Sequence, residues 1–364
     1  MNDQFNNAYK GKKILVTGAT GFKGSWLSIW LHKLGAIVIG YSLEPPTNPS
    51  MFEICKMENK IINIIGDVRD YSNLWKVFNE YKPDMVFHLA AQPLVKLSYK
   101  SPRETYETNV MGTVNLLEAA RNTDSVKAVI IITTDKCYEN KEWVYGYRES
   151  DPMGGYDAYS SSKGCAELVV SSYRNSFYKK KGITLSSVRA GNVIGGGDWA
   201  EDRLIPDFIK AVSRDKPIVI RNPIATRPWQ YILEPLSGYL WLGALMIKDN
   251  EKYSSSWNFG PRDTDILNVE EILNLSINSW GKGTIEVDKS EQFHEANLLK
   301  LDISKAKCYL KWNPVYDVNK AVEKTISWYK TYYENRSVNM YEYTLTQIEE
   351  YKKEAKIQSL KWSE

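Results

Sequence analysis

Cysteine and histidine are scarce in this sequence of 364 residues, with four and three copies respectively. The cysteines are far apart, and neither a Cys-x-x-Cys pair nor a Cys/His spacing typical of zinc is present. This pattern predicts reduced thiols in a cytoplasmic protein and no metal site. The sequence also contains no apolar run long enough to cross a membrane, and its first residues do not resemble a secretory signal. We therefore expect no membrane partner.

An excess of charge of one sign is also missing. The formal net charge is +3, with 43% hydrophobic and 25% charged residues. This composition is ordinary for a globular protein with a large core. A nearly neutral chain of this length does not indicate a general nucleic-acid surface, so any anion must be recognised locally.

Short, continuous apolar runs alternate with longer helix-like stretches in the first half of the chain. Continuous apolar runs are typical of strands buried on both faces. We predict strands at residues 14–16, 37–41, 61–65, 85–89, 129–132 and 185–188. We predict helices at residues 25–34, 72–81, 106–121 and 159–178. The alternation predicts an α/β fold with a doubly wound parallel sheet of the Rossmann type.

The second half changes character after Gly195-Gly196-Gly197, where prolines become frequent and the alternation is lost. We therefore predict a dinucleotide-binding domain over residues 1–192. Residues 193–364 are predicted to form mainly a smaller substrate-binding lobe and C-terminal helices. A segment of about residues 229–262 is expected to return to the first domain, with 257–260 joining the sheet. The stretch from Val318 is predicted to be helical.

The first predicted strand ends in a glycine-rich turn, with Gly18, Gly21 and Gly24 spaced three apart, and a predicted helix follows. In a dinucleotide site such glycines allow a tight turn, close approach of a pyrophosphate and packing of helix on strand. A purely structural turn is the alternative. We predict that the cofactor is bound by Thr17, Gly18, Gly21, Phe22, Lys23, Gly24, Ser42, Asp67, Val68, Leu89, Ala90 and Ala91, together with Tyr159 and Lys163.

The tip of the second strand does not encode the cofactor type clearly. Ser42 lies where many NAD enzymes have an acid, and no arginine is placed for the 2′-phosphate of NADP, which favours NAD. Asp67 and Val68 follow the third strand and are candidates for adenine binding, with a helix N-cap region as the alternative. The small residues Ala90 and Ala91 would let the backbone approach the cofactor.

A tyrosine and a lysine four residues apart begin the helix predicted at 159–178. This spacing places Tyr159 and Lys163 on one face. The pKa of a phenol is about 10 in water, and a neighbouring ammonium is predicted to lower that of Tyr159 towards neutrality, which makes a usable base. Thr134, after the fifth strand, is predicted to donate a hydrogen bond to the same substrate oxygen. An exposed helix with a solvated lysine is the alternative.

Together, the glycine turn, Thr134 and the Tyr-x-x-x-Lys spacing resemble the extended short-chain dehydrogenase/reductases, from about Lys12 to Tyr329. Within them, Thr134-Asp135-Lys136 resembles the sugar-nucleotide 4,6-dehydratases, whereas simple 4-epimerases lack the acid after the threonine. Longer strings resemble the CDP-glucose 4,6-dehydratases in particular. They are residues 20–26, 135–140, 191–199 and 227–230.

The resemblance implies conversion of CDP-glucose to CDP-4-dehydro-6-deoxyglucose and water with bound NAD, in the synthesis of deoxysugars for surface polysaccharides such as the O-antigen of lipopolysaccharide. Tyr159 would take the O4 proton while C4 gives up a hydride, with Thr134 and Lys163 polarising the arrangement. Lys136, with its pKa lowered by burial, would remove the C5 proton. Asp135, kept protonated, would donate to the departing C6 hydroxyl. On its own, the Asp135-Lys136 pair would be interpreted as a surface ion pair.

The substrate diphosphate needs cationic groups, and guanidinium matches phosphate oxygens well. The candidates are Arg203, Arg221 and Arg227, of which Arg227 lies in a matched string and Arg221 has a solvated side chain as its alternative. Asn192 is a candidate for a phosphate or sugar hydroxyl, with a turn as the alternative, and His294 resembles a family element near the nucleotide. Alternatives for the whole chain are a dehydratase of another sugar nucleotide, a 4-epimerase and a non-catalytic regulator.

Two predicted helices, 106–121 and 159–178, carry more apolar residues than one sheet face needs. In the resembled family these helices pair across a two-fold axis, so we predict a homodimer or a higher homo-oligomer. The apolar residues concerned are Val110, Val114, Leu117, Leu168 and Val169.

Overall fold

The computed structural model describes residues 4–249, 251–288 and 298–364. The strands are β1 (Lys13–Thr17), β2 (Ile37–Ser42), β3 (Ile62–Ile65), β4 (Met85–His88), β5 (Ala128–Ile132), β6 (Thr184–Ala190), β7 (Asn192–Ile194), β8 (Ile218–Ile220), β9 (Thr226–Tyr231), β10 (Ser256–Phe259), β11 (Ile266–Asn268) and β12 (Ile285–Val287).

Helices connect and cover these strands. They are α1 (Phe22–Lys33), α2 (Met51–Ile54), α3 (Tyr71–Tyr81), α4 (Val95–Lys100), α5 (Pro102–Tyr106), α6 (Gly112–Arg121), α7 (Ala158–Tyr173), α8 (Lys179–Lys181), α9 (Leu204–Val212), α10 (Leu233–Lys248), α11 (Val269–Trp280), α12 (Val318–Glu334) and α13 (Met340–Ile357). In the described ranges, no helix combines the length and the apolar character needed to span a bilayer.

The central sheet has seven strands in the order β10-β6-β5-β4-β1-β2-β3, and all of its neighbours are parallel. Ile14 in β1 is in register with Val38 on one side and with Met85 on the other. The strand order therefore reverses between β1 and β4, which opens a crevice at the carboxyl ends of these two strands. The predicted α/β fold with a doubly wound Rossmann-type sheet is confirmed.

The helices beside the sheet depart from the prediction in one respect. The stretch predicted as 106–121 passes through a π-helical segment, Glu107–Met111, before α6, and α7 continues into a second one, Arg174–Tyr178. Hydrophobic periodicity gives no signal for such a change of hydrogen-bonding pattern. A third segment, Ala306–Leu310, is also π-helical.

Outside the central sheet, β11-β9-β7 form a three-stranded sheet and β12-β8 a two-stranded one. β10 lies at the edge of the central sheet beside β6, although it comes late in the chain. The division of the chain at residue 192 remains a prediction.

Aromatic side chains attach the C-terminal helices to the first half of the chain. Trp328 in α12 lies against Gly196, where a Cβ atom would be 2.1 Å from the indole ring. Trp362 stacks on Phe5 with the ring centroids 5.4 Å apart. Because these rings are buried, the C-terminal segment is part of the main core.

The apolar residues predicted to be surplus on two helices have different environments. Leu117 in α6 is fully buried in the core between helix and sheet, so it is not one of the surplus residues. Leu168 in α7 is 61% exposed, and Met111 in the preceding π-helical segment is also exposed.

Candidate active site

The turn between β1 and α1 lies at the crevice between β1 and β4. Gly18 has a φ of +71°, and a Cβ there would lie 2.8 Å from the backbone nitrogen of Ala90. At Gly24 a Cβ would lie 2.0 Å from the Gly18 carbonyl oxygen. At Gly21 the nearest atom would be 3.4 Å away, so the protein itself does not require glycine there. The site fits a dinucleotide, because Gly21 leaves space beside a helix N-terminus that has no side-chain cap.

The other predicted cofactor residues surround this turn. The hydroxyl of Thr17 accepts a hydrogen bond from the Ala90 N–H at 3.2 Å, which links the ends of β1 and β4. Ser42 accepts one from the Thr20 N–H at 3.4 Å. Through these hydrogen bonds, the side chains of Thr17 and Ser42 hold the loops that follow β1 and β4. Leu89 directly follows β4, and its backbone lies beside the crevice.

Asp67 and Val68, the predicted adenine contacts, follow β3. Burial tends to raise the pKa of Asp67, but hydrogen bonds from Arg69 outweigh this effect and lower it. Val68 is buried against Gly112, where a Cβ would be 2.7 Å from its side chain. The N-cap of α3 is Asp70 and not Asp67, since the Asp70 side chain accepts from the Asn73 N–H.

Tyr159 and Lys163 lie in the first turns of α7, beside the end of β5. Asp157 caps this helix by accepting a hydrogen bond from the Ser160 N–H at 2.9 Å. The buried amine of Lys163 donates to the Ile132 carbonyl at 3.3 Å, at the last residue of β5. The chain then continues directly into the segment that contains Thr134, so the helix start and the strand end meet as predicted from the two motifs.

The pKa of Tyr159 is raised to about 12, mainly because the phenol is removed from water. Its hydrogen bond with Thr134 lowers the pKa, the charge of Asp135 raises it, and Arg203 lowers it. The expectation that Lys163 brings this pKa towards neutrality is therefore wrong for this structure. Burial also lowers the pKa of Lys163 to about 8.

Asp135 is 5% exposed and begins a short 3₁₀ turn, Asp135–Cys137. It accepts a hydrogen bond from the Thr134 hydroxyl at 2.9 Å, and Gly191 makes room for its other oxygen, since a Cβ there would be 2.8 Å away. Burial raises the pKa of Asp135, although Lys136 and Thr134 oppose the shift. By contrast, Lys136 is exposed, so the expectation that it is buried is wrong.

Lys23, predicted only as part of the glycine turn, lies in the same charged cluster. Its pKa is lowered to about 8, mainly by burial and also by the positive charge of Arg203, while Asp135 acts in the opposite direction. Lys163 and Asp198 also act on this amine. The site therefore contains two lysines that release their protons more readily than a solvated lysine does.

Arg203, predicted to bind substrate, immediately precedes α9. Its guanidinium donates to the Asp198 carboxylate at 2.7 Å, and this charge raises its pKa. The Tyr329 hydroxyl in turn accepts from the Asp198 N–H at 2.8 Å and donates to the Asp198 carbonyl. The C-terminal helix α12 thus supports the loop that holds Arg203 near Tyr159.

The other predicted substrate residues are spread over two small sheets. Asn192 begins β7 and is paired in register with Trp229 of β9, two residues from Arg227. The Arg227 guanidinium donates to the Thr226 carbonyl at 2.8 Å. Arg221 is exposed and follows β8. His294 lies outside the described residues.

His88, the last residue of β4, contacts the predicted site residue Thr17 although no motif indicates it. Its ring nitrogens contact the Thr17 and Thr113 hydroxyls at 2.7 and 3.3 Å. Burial, with a contribution from Lys163, lowers its pKa to about 3. The available signal was a polar residue ending an apolar strand directly before the small residues at 89–91. Among the described residues, no group of three His, Cys, Asp or Glu side chains could hold a metal ion.

Comparison with known proteins identifies the family. Residues 15–325 match the model of a family described as GDP-mannose 4,6 dehydratase. The chain belongs to the GDP-mannose 4,6-dehydratase family. This result confirms the resemblance to sugar-nucleotide 4,6-dehydratases that the motifs indicate.

The sequence identity between this chain and individual dehydratases varies widely. A CDP-glucose 4,6-dehydratase of Salmonella typhimurium is 52% identical over 332 residues, covering 90% of this chain and 92% of that protein. A dTDP-D-glucose 4,6-dehydratase of Dictyostelium discoideum is 30% identical over 283 residues, 73% of this chain and 62% of that protein.

Solved structures show how far the fold extends beyond the dehydratases. A mutant UDP-glucuronic acid 4-epimerase of Bacillus cereus, in complex with UDP-4-deoxy-4-fluoro-glucuronic acid and NAD, has a TM-score of 0.74 and 26% identity, covering 88% of this chain and 99% of that one. A UDP-glucose 4-epimerase of Thermotoga maritima has a TM-score of 0.76 and 23% identity, with the same coverage, and shows the same fold.

Proposed function

We propose that this protein is a CDP-glucose 4,6-dehydratase that uses bound NAD to convert CDP-glucose to CDP-4-dehydro-6-deoxyglucose and water. The observation that carries the proposal is the buried carboxyl of Asp135 beside Thr134 and Tyr159. Loss of water from C6 needs an acid, and burial raises the pKa of the Asp135 carboxyl, which favours its protonated form. The identity of 52% to a CDP-glucose 4,6-dehydratase supports the choice of base and sugar.

The glycine turn, Ser42, Asp67 and the backbone at Leu89 would hold NAD, and Tyr159 would lie beside it. Bound NAD would supply the hydride acceptor for C4 of the sugar and the hydride donor for C6. The backbone N–H groups at the start of α1 would bind the pyrophosphate, because Gly21 leaves that surface open.

Tyr159 is proposed to take the proton from the sugar O4. Forming the phenolate of Tyr159 costs free energy in this buried site, because the pKa of the phenol is about 12 before substrate binds. The positive charge of Arg203 lowers that cost, and Thr134 hydrogen-bonds the phenol oxygen. Lys163 adds a cation held in place by the Ile132 carbonyl.

Elimination of water requires a base at C5 and an acid at C6. We assign the acid to Asp135 and the base to Lys136, which adjoins it in the chain. Lys136 is exposed in the free protein, so we propose that bound substrate covers its amine. The C5–H electrons form the C5=C6 bond as the C6 hydroxyl leaves with the Asp135 proton.

The remaining substrate residues are proposed for the diphosphate and the nucleotide. Arg203 and Arg227 are the proposed phosphate ligands. Asn192 is proposed to contact a phosphate or a sugar hydroxyl, and it lies on β7, which pairs with β9, the strand that contains Arg227. Arg221 and His294 remain predicted contacts. We further infer that the enzyme acts in the cytoplasm as a homodimer or larger homo-oligomer.

A 4-epimerase is the second candidate, because solved epimerases share the fold. A panel of nucleotide hexoses, followed by mass spectrometry, separates the two functions. A dehydratase product is lighter by about 18 mass units, the mass of one water, whereas an epimerase product has unchanged mass. We expect mass loss with CDP-glucose and none with the Tyr159→Phe variant. An unchanged mass and inverted C4 would contradict the proposal.

A further inference from the structure

A buried ion pair lies one helical turn beyond Lys163 and has no part in the mechanism above. Glu167 in α7 and Arg189 in β6 are 2.8 Å apart, and each side chain is only 4% exposed. Burial tends to raise the pKa of Glu167, but Arg189 and two hydroxyl donors outweigh it and lower the pKa. The carboxylate therefore keeps its negative charge inside the protein.

Both oxygens of Glu167 are used in binding the strands next to the site. One accepts a hydrogen bond from the Thr133 hydroxyl at 2.5 Å, and the other accepts one from the Ser187 hydroxyl at 2.7 Å. Thr133 directly precedes Thr134 in the sequence. Glu167 thus connects α7 to the segment that contains the proposed acid and the phenol's hydrogen-bond partner.

Arg189 extends this connection to β10, the edge strand of the central sheet. Its guanidinium donates to the Tyr138 hydroxyl at 2.6 Å, and that hydroxyl donates to the Asn258 side chain in β10 at 2.8 Å. Replacing a buried ion pair with apolar residues is often neutral or stabilising, so stability alone does not account for it. Its contacts instead place α7 relative to the ends of three strands.

The charge of Glu167 also acts on Lys163. Burial lowers the pKa of Lys163, whereas Glu167 and, to a lesser degree, Cys137 raise it. The other titratable groups whose pKa Lys163 affects are His88, in β4, and Lys23, in α1. Neither of these groups supplies negative charge, because one is an amine and the other a neutral imidazole.

We infer that Glu167 is a positioning residue of the active site, which fixes Thr133 and faces Lys163 with the negative charge that keeps its amine protonated. The part played by Lys163 in catalysis rests on the proposed function. The charge state of Lys163, however, can be measured without substrate or turnover.

The test is the pH dependence of acetylation of Lys163 by acetic anhydride. The folded protein is labelled, and the extent of labelling is then measured on its peptides by mass spectrometry. Only the neutral amine reacts, so the midpoint of labelling reports its protonation. In Glu167→Gln we expect this midpoint to move to lower pH by about one unit, because an opposing charge is lost. The alkaline limb of the dehydration rate should move in the same direction. An unchanged midpoint would overturn the inference.

Two further variants separate charge from folding. Ser187→Ala removes a neutral hydrogen bond to Glu167 and should leave the labelling midpoint unchanged. Glu167→Gln combined with Arg189→Gln leaves no uncompensated buried charge, which protects the fold if the single variant unfolds. The double variant should still show the lowered midpoint, and a wild-type midpoint there would refute the inference. If wild type fails to dehydrate CDP-glucose, the proposed function fails while the labelling result stands.

Discussion

Replacing the buried acid with its amide tests the order of steps in the proposed reaction. Asp135→Asn changes the shape of the side chain little, and the amide oxygen can still accept the hydrogen bond that the Thr134 hydroxyl makes at 2.9 Å. The space left by Gly191 is also kept. We therefore expect the fold to survive, with a change in the free energy of unfolding of no more than about 1 kcal/mol.

The chemical steps should respond differently. An amide cannot give a proton to the departing hydroxyl, so dehydration should slow by about two to four orders of magnitude, equivalent to about 3 to 5 kcal/mol in the barrier. Asp135 is proposed to act as a protonated, neutral acid, and asparagine is also neutral, so the substitution adds no charge beside the phenolate of Tyr159. Oxidation at C4 should therefore proceed, to within about tenfold of the wild-type rate.

Stopped-flow absorbance of reduced nicotinamide distinguishes these steps. Asp135→Asn should accumulate reduced cofactor and a 4-keto sugar that keeps its C6 hydroxyl, whereas wild type should show little of either at steady state. Tyr159→Phe serves as the control and should show no reduction. Dehydration at the wild-type rate would show that Asp135 is only structural. Failure to reduce the cofactor would place Asp135 in the first step or in binding.

Further predictions concern the base, the glycine turn, pH and assembly. Tyr159→Phe should lower turnover by about two to four orders of magnitude with unchanged thermal unfolding, and near-normal turnover would remove its role as base. Gly21→Ala should keep the wild-type melting temperature, because the new methyl group would meet only the Gly18 carbonyl oxygen, at 3.4 Å. It should weaken NAD binding by at least about tenfold, measured by calorimetry, because the methyl group would lie where the pyrophosphate approaches; unchanged affinity would contradict the cofactor site. Gly24→Ala should lower the melting temperature, since its Cβ would lie 2.0 Å from a backbone oxygen; a wild-type melting curve would show that the turn adjusts. Because the pKa of Lys163 is about 8, its ammonium form is lost as pH rises through that value, so dehydration should decline above about pH 8 in a pH–rate profile; a rate that stays level to higher pH would count against a required ammonium. Light scattering at micromolar concentration should give at least a dimer mass, which Leu168→Glu should reduce, because Leu168 is exposed on α7; a monomer mass for wild type would refute assembly.

The strands of the central sheet could be predicted because each is a continuous apolar run between helices. Strands buried on both faces leave this simple record in the sequence. β10 could be suspected from residues 257–260, but its place beside β6 depends on contacts between segments more than 60 residues apart. The π-helical segments could not be predicted, since hydrophobic periodicity gives no signal for a change of hydrogen-bonding pattern over five residues.

Motifs located the chemistry of the site but not its electrostatics. Tyr159, Lys163 and Thr134 meet as their spacing and order imply, because they follow the carboxyl end of a parallel strand. Whether an ionisable group is buried depends on residues distant in sequence. The motif indicates Asp135 as an acid, and its side chain is buried. Lys136 is its neighbour in the chain but is exposed, so the expectation that it is buried is wrong.

The raised pKa of Tyr159 has a consequence for how the site becomes reactive. Lys23 and Lys163 both have a pKa of about 8, so near neutral pH a modest change in local charge alters their protonation. An arriving diphosphate brings negative charge, which stabilises the ammonium forms of nearby lysines. Among the cations of the site, Arg203 lowers the pKa of Tyr159 and so favours its phenolate. The guanidinium of Arg203 is thus in place beside Tyr159 before substrate enters, whereas the protonation of Lys23 and Lys163 responds to added charge near pH 8.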